Sequence, residues 1–298
     1  MPRTTTIQTG QTQNDVIQYY KDTARDYRIL LRHRVGQRGM HYGYTDKNHS
    51  TLAETILNLN EQLAKQAGVR PQMKVLDVGC GVGGTVIWLA KNKGVEATGI
   101  TIIPDQVKAA EFFAQQEGVQ EKAKFFLRDM RNTKFPNDSF DVITGVESVC
   151  YMKDKKDFIK EAYRLLKPGG VLVMSDGFQR HGEFNSRQEK RMKRWLKGWA
   201  VPNLATIEEF TKDLKEVGFK NIHKRKTTSN ILPFSRFLYK WGIVGYPLSK
   251  LLEVLRLRTA RGTGNIIAAI WQYRTIKNGL WNMYIVSAQK IVKSQASK

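Results

Sequence analysis

Apolar positions along this chain alternate between two rhythms. Short apolar runs such as Val75, Leu76 and Val78 give way to helical spacings such as Val86, Ile87, Leu89 and Ala90, and the alternation repeats. The pattern predicts strands at Lys74–Val78, Glu96–Ile100, Lys124–Leu127, Asp141–Val146 and Val171–Ser175, with helices over 85–92, 104–117 and 155–166. "KPGG" (Lys167–Gly170) reads as a helix stop and turn. Further on, a helix stopped by Gly218 is predicted over Thr206–Val217, then strands at Lys220–Thr228 and Met283–Ala288. Repeated strand–helix units predict an α/β fold with a mostly parallel sheet covered on both faces. Such sheets bind ligands at the carboxyl ends of the strands, where strand order reverses.

The flanks are less regular. Residues 1–14 are polar and without periodicity, which predicts a loose tail. A helix is expected from Asp15 to about Val35, then an aromatic, glycine-bearing loop, "GMHYGYTD" (Gly39–Asp46). Ser50 suits the N-cap of a helix reaching Ala67, with Glu54 closing a capping box. Helical patterns such as "PLSKLLEVLRLR" and "IIAAIWQYRTIKNGLW" fill the span before the last strand, where a structureless loop of that length is improbable. The expected division is a tail and helical cap at 1–70, a core at 71–229, a helical insertion at 230–279, and the last strand and tail at 280–298.

Of the 298 residues 41% are hydrophobic, enough for a packed core. No signal-like opening and no run of 18 uncharged apolar residues occurs, so a chain neither secreted nor membrane-spanning is expected. Two cysteines, Cys80 and Cys150, make no disulfide framework and suit a reducing, cytoplasmic setting. The net charge of +22 is unevenly placed. Residues 1–179 carry 25 Lys+Arg against 20 Asp+Glu, and residues 180–298 carry 24 against 7. The basic C-terminal part could serve nucleic acid, anionic lipid headgroups or a phosphorylated substrate, or be a plain solvated surface. His33, His49, His181 and His223 show no metal-ligand spacing, and no metal is expected.

The chemistry concentrates in "KVLDVGCGVGGTVIWLAKN" (Lys74–Asn92), a strand, a tight glycine turn and a helix. Gly79, Gly81 and Gly84 fit the spacing G-x-G-x-x-G, which suggests a dinucleotide. A nicotinamide site would place Asp or Glu at the end of the second strand, where Thr101 and Ile102 stand. The 2′-phosphorylated cofactor would want a nearby Arg, and no cation occurs before Lys108. A P-loop would require Gly-Lys-Ser/Thr, but Thr85 and Val86 follow the turn.

"VLDVGCGVGG", "GIT" with Gln106, "RDM" before "FPNDSFDVI", "ESVCYM" and "LLKPGGVLVM" stand in an order that resembles the class I S-adenosylmethionine-dependent methyltransferases, across Met73–Asp176. The resemblance implies a Rossmann-like, doubly wound, seven-stranded sheet with an N-terminal helical cap and a helical insertion before the last strand. It also implies S-adenosyl-L-methionine as cofactor. Gly79 and Gly81 would let the backbone approach the cofactor's amino-acid part, and Asp77 could pair with its ammonium. Thr101 and Gln106 are implied near the ribose, and Asp129, with Met130 beside it, at the adenine amino group. Tyr20, Cys80, Ile102 and Val146 complete the implied cofactor set.

"GIT" with its Gln, and "ESVCYM", are similar to the branch holding sterol, tocopherol and geranyl-diphosphate C-methyltransferases, as are "YY" (Tyr19, Tyr20) and "MHYGY" (Met40–Tyr44). The implied acceptor is a hydrophobic small molecule, isoprenoid or lipid-like, methylated on carbon. Glu147 is the expected base, with Tyr151, His41, Tyr42 and Tyr44 lining the pocket. The alternative is N- or O-methylation of an alkaloid-type metabolite. Nucleic acid is disfavoured as substrate, because "ESVCYM" stands where base-modifying enzymes commonly carry NPPY or DPPY. The insertion, apolar and edged with cations, suits a lid or a peripheral membrane contact. "RQEKRMKRWLKGW" (Arg187–Trp199), with six cations and four apolar positions, reads as a candidate surface for lipid headgroups, a diphosphate or RNA.

Overall fold

The computed structural model describes residues 6–30 and 38–291. The expected end of the first helix near Val35, the first five residues of the expected tail and the residues after 291 lie outside them. Seven strands form one sheet: β1 (Lys74–Val78), β2 (Glu96–Thr101), β3 (Ala123–Leu127), β4 (Phe140–Val146), β5 (Leu166–Gln179), β6 (Lys220–Lys226) and β7 (Trp281–Gln289). Their order is β3-β2-β1-β4-β5-β7-β6. All neighbours pair in parallel except β7, which runs antiparallel to both β5 and β6. Strand order reverses between β1 and β4, whose pairing sets Asp77 opposite Thr144.

Helices α2 (Leu52–Gln66), α3 (Gly84–Lys93) and α4 (Pro104–Gln116) cover one face, burying Leu59, Leu63, Val86, Leu89 and Ala110 against Val75, Ala97 and Val142. On the other face α5 (Lys155–Leu165) and α7 (Ile207–Val217) bury Phe158, Ile159, Phe210 and Leu214 against Leu76, Ile143 and Leu172. A third cluster joins α6 (Ser186–Gly198), α8 (Thr228–Val254) and α9 (Ala260–Lys277) around Trp281 at the start of β7. Helix α1 (Gln13–Leu30) lies across α9 through Tyr19, whose hydroxyl donates to Asn265 Oδ1 at 2.9 Å.

Several boundaries differ from the sequence reading. The cap of α2 is Thr51, not Ser50: Thr51 Oγ1 accepts the Glu54 N–H at 3.3 Å while Glu54 Oε2 accepts the Thr51 N–H at 3.1 Å. Residues 6–12 are no loose tail, since Ile7 is buried and Thr9 Oγ1 donates to the Val201 carbonyl at 2.8 Å. "KPGG" belongs to β5 rather than preceding it. The strand pairs Leu166 with Phe140, bulges, and resumes at Val171 opposite Val142, while the Gly169 N–H donates to the Lys290 carbonyl at 2.7 Å. Arg187–Trp199 forms most of α6 and the residue after it, with its apolar positions turned inward. Met192, Trp195 and Leu196 are buried, and Trp195 stacks on Trp281 with centroids 4.2 Å apart.

Candidate active site

A cavity of about 950 Å3 runs along the carboxyl ends of β1, β2 and β4, on both sides of the reversal in strand order. The turn after β1 forms its floor. Gly79 has φ +73°, and a Cβ there would stand 2.4 Å from Ser148 Cβ, so only glycine lets the two loops meet. Gly81, with φ +53°, and Cys80, buried against β2, complete the turn. All eleven residues expected at a cofactor border this cavity: Tyr20, Asp77, Gly79, Cys80, Gly81, Thr101, Ile102, Gln106, Asp129, Met130 and Val146.

Their present partners differ. Asp77 is buried and its Oδ1 has no hydrogen-bond partner; burial pushes its carboxyl up to about 8. Thr101 Oγ1 donates to Gln106 Oε1 at 2.7 Å, so these two satisfy each other. Asp129 is engaged by the Arg131 guanidinium, with Nη2 at 2.6 Å, and by Gln13 Nε2 at 2.9 Å. Burial raises the Asp129 carboxyl, but the Arg131 hydrogen bonds outweigh that and hold it below its usual value. Asp129 also caps its own turn by accepting the Arg131 N–H at 2.9 Å.

A second cavity of about 510 Å3 lies between the sheet and the insertion, walled by Trp195, Trp199, Phe234, Leu238, Trp241 and Trp281. It shares Tyr20, Met40, His41, Glu147 and Tyr151 with the first, so the two spaces meet at these side chains.

Glu147 stands at the end of β4 with φ +49°, a conformation costly for a residue with a side chain, by about 1–3 kcal/mol. Its N–H donates to the Ser175 carbonyl at 2.8 Å, and its Oε1 accepts the Tyr42 N–H at 2.7 Å. Burial drives its carboxyl well above the usual range, the Tyr42 N–H opposes this, and nearby Asp176 adds to it. His41 Nδ1 lies 2.9 Å from the Tyr42 carbonyl, which can only accept, so Nδ1 carries the proton. Nε2 is then a bare acceptor, buried without a partner, and burial holds the ring neutral with a pKa of about 4.

Tyr151 borders both cavities and its hydroxyl accepts from Tyr20 at 3.2 Å. Tyr42 borders only the second, its hydroxyl donating to Gln272 Oε1 at 2.7 Å. Tyr44 borders neither cavity. It packs instead among the α2 and α3 residues with the Arg225 guanidinium 5.4 Å from its ring, because its backbone is tied to α2: its N–H donates to the Thr55 carbonyl at 2.8 Å and its carbonyl accepts from Asn58 Nδ2 at 2.8 Å.

Three contributors are not among the residues expected from the sequence, although Ser148 lies within "ESVCYM". Lys155 is buried and donates to the carbonyls of Cys150 (3.3 Å), Met152 (2.5 Å) and Asn203 (2.9 Å) and to Asn203 Oδ1 (2.6 Å), which ties the Tyr151 turn to the 200–205 segment. Burial lowers it to about 8. Asp176, raised by burial to about 6, accepts the N–H groups of Cys150 (2.9 Å) and Gly177 (2.8 Å). Ser148 packs against Gly79 with its hydroxyl unpartnered.

These residues fit the cofactor that the sequence implies. A buried carboxylate oxygen lacking a donor suits an ammonium, and the glycine turn leaves room that a Cβ would fill. Among the described residues no cluster of His, Cys, Asp and Glu could hold a metal ion.

Residues 76–174 match a family model described as a methyltransferase domain. The chain is 42% identical over 151 residues to a 2-methyl-6-phytyl-1,4-hydroquinone methyltransferase of Synechocystis sp., covering 50% of this chain and 46% of that protein. It is 30% identical over 171 residues to norajmaline N-methyltransferase of Rauvolfia serpentina, covering 56% and 59%. The chain thus spans about half the length of these relatives. Among solved structures, the [4+2]-cyclase SpnF superposes with a TM-score of 0.78 at 22% identity, over 96% of this chain and 98% of that one. Residues 76–174 therefore match a methyltransferase domain, and they lie in a chain whose seven-stranded sheet has the Rossmann-like fold.

Proposed function

We propose that this chain transfers a methyl group from S-adenosylmethionine to a carbon atom of a hydrophobic, isoprenoid or lipid-like acceptor. The observation that carries the reading is the junction of a polar, glycine-floored cavity with an aromatic one at Glu147, His41 and Tyr151. When bound, the cofactor supplies an electrophilic methyl on its sulfonium. The protein's own tasks are then alignment, exclusion of water and removal of a proton.

Asp77 holds the cofactor ammonium in this reading, Thr101 and Gln106 face the ribose, and Asp129 the adenine. Attack by the acceptor carbon would form the new carbon–carbon bond as the sulfur–methyl bond breaks with its electron pair kept on sulfur, which leaves the positive charge on the acceptor. The faces of Tyr20 and Tyr151 stabilise that charge. The positive charge of a bound sulfonium would favour the ionised form of Glu147, which then accepts the proton lost from the methylated carbon, with His41 Nε2 as a second acceptor beside it.

The acceptor cavity also speaks to charge. Its lining includes the carboxylates of Asp26, Glu147 and Asp176 and, among the described residues, no Lys or Arg. A neutral acceptor such as a hydroquinone fits that wall better than a prenyl diphosphate. Asp26 is neutralised by Arg258, with Nη1 at 2.8 Å, but that guanidinium does not border the cavity. The same carboxylates favour a second reading, N-methylation of an apolar amine, to which the alkaloid relative also points.

A screen with methyl-labelled cofactor against prenylated hydroquinones, sterols, prenyl diphosphates and indole alkaloids tests this. Label on carbon of a neutral isoprenoid is the expected result. Label on nitrogen selects the second reading, and transfer only to diphosphates overturns the charge argument.

A further inference from the structure

Helices α8 and α9 lie antiparallel and touch through small and polar residues. A Cβ on Gly242 would stand 2.9 Å from Ile270 Cγ1, and Ser249 Oγ donates to Thr263 Oγ1 at 3.2 Å. Gly242 and Ser249, two turns apart, mark the packed face of α8. The opposite face carries Val244, Leu248 and Leu251, continued by Leu255 just past the helix end. They recur at helical intervals and are 73%, 60%, 54% and 56% exposed. Val254 and Leu257, both exposed, extend this surface into the turn before α9. A continuous apolar strip of this kind marks a docking surface.

Two observations say what it docks on. The exposed cations Arg236, Lys240 and Arg256 border the strip, with Lys250 paired to Glu253 at 2.6 Å, within residues 180–298, which carry 24 basic residues against 7 acidic. An apolar face edged by Lys and Arg is the pattern of a helix lying in the interface of an anionic membrane. No described helix is long and apolar enough to cross a membrane, so such a helix would lie on the surface. The acceptor cavity is continuous with the strip: Trp241 and Ile29 line it and are themselves 43% and 52% exposed, one at the head of the strip and one across from it on α1.

We infer that the outer face of α8 docks on a lipid bilayer bearing anionic headgroups, and that the acceptor cavity opens into this surface between Trp241 and Ile29. The entry route, though not the docking itself, rests on the hydrophobic-acceptor reading above. An apolar acceptor would then reach Glu147 from the lipid without crossing water.

Flotation of the full chain with vesicles of phosphatidylcholine and phosphatidylglycerol, and with phosphatidylcholine alone, tests the docking. The protein should float with the anionic vesicles. The triple variant V244E/L248E/L251E should bind them roughly tenfold less well or worse, while calorimetric binding of S-adenosylmethionine stays unchanged and shows that it is folded. Brominated lipid should quench part of the tryptophan fluorescence, and Trp241→Phe should lose that part. No flotation by the wild-type chain, or equal flotation by the triple variant, overturns the proposal. So does a wild-type dimer that the triple variant dissolves, since the strip would then belong to a second copy. Vesicle binding with no methyl transfer to any apolar acceptor keeps the docking and removes the proposed function instead.

Discussion

The backbone N–H of Tyr42 donates to Glu147 Oε1 at 2.7 Å, joining residues 105 positions apart at the meeting point of two cavities. This bond fixes the carboxyl through a main-chain N–H, which only a proline at position 42 would remove. In the proposed reaction the second oxygen is the one that faces the acceptor. The loop that delivers Tyr42 also delivers His41, so one segment positions both candidate proton acceptors.

Glu147→Gln keeps an oxygen for the Tyr42 N–H but loses the base. Turnover should fall by about 10²–10⁴-fold, with cofactor affinity changed little. Steady-state rates and calorimetry on the same preparation check it; unchanged turnover removes Glu147 from the mechanism.

Asp77, pushed up to about 8, is protonated at pH 7 while no cation lies beside it. An ammonium favours the carboxylate, so binding at pH 7 releases a proton and affinity rises with pH. The cofactor's own α-amino group titrates in a similar range, so affinity should peak near pH 8 and fall above it. Calorimetry in buffers of different ionisation heat reads the released proton. Asp77→Asn should release none and bind about tenfold more weakly or worse.

Gly79→Ala forces a side chain into φ +73° and sets Cβ 2.4 Å from Ser148 Cβ. A loss of about 1–3 kcal/mol is expected, together with most cofactor binding. Adding Ser148→Gly should recover the part due to the collision and leave the backbone strain, which thermal unfolding of both variants would separate.

Lys155→Met leaves four acceptor contacts without their donor in a buried place. Destabilisation of about 2–3 kcal/mol follows from unsatisfied carbonyls. Because the lysine holds the Tyr151 turn, turnover should fall more than cofactor affinity. Denaturant melts and kinetics together test this.

Legibility in the sequence followed how local the cause was. The strand–glycine–helix units announced themselves because period and turn chemistry act within a few residues, and the residues expected at the cofactor came to one cavity. Helix α6 escaped because its charges outnumber its apolar residues; only its packing against Trp281 shows which side faces in. Lys155 sits in "KDKK", indistinguishable there from Lys153 and Lys156, and its burial comes from a segment some fifty residues later. Tyr44 shows no such local cause either: it stands away from the pocket because Thr55 and Asn58 of α2 hold its backbone, contacts that the motif "MHYGY" does not contain. Ile7 and Thr9 looked solvated because their partners, around Val201 and Gln179, are far along the chain.

Strand β7 enters the sheet between β5 and β6, although it is the last of the seven in the chain. Until it is in place β6 has no neighbour, and the far edge of β5 lies open to any extended segment it meets. Closure of the sheet must therefore wait for α8 and α9 to be synthesised and folded back. Assembly of this protein depends on a late, long-distance pairing of the kind that is slow and prone to wrong partners. A block on the ribosome shortly before Trp281 would strand a chain with its methyl-donor site already encoded but its sheet unfinished, a species that holding chaperones should recognise.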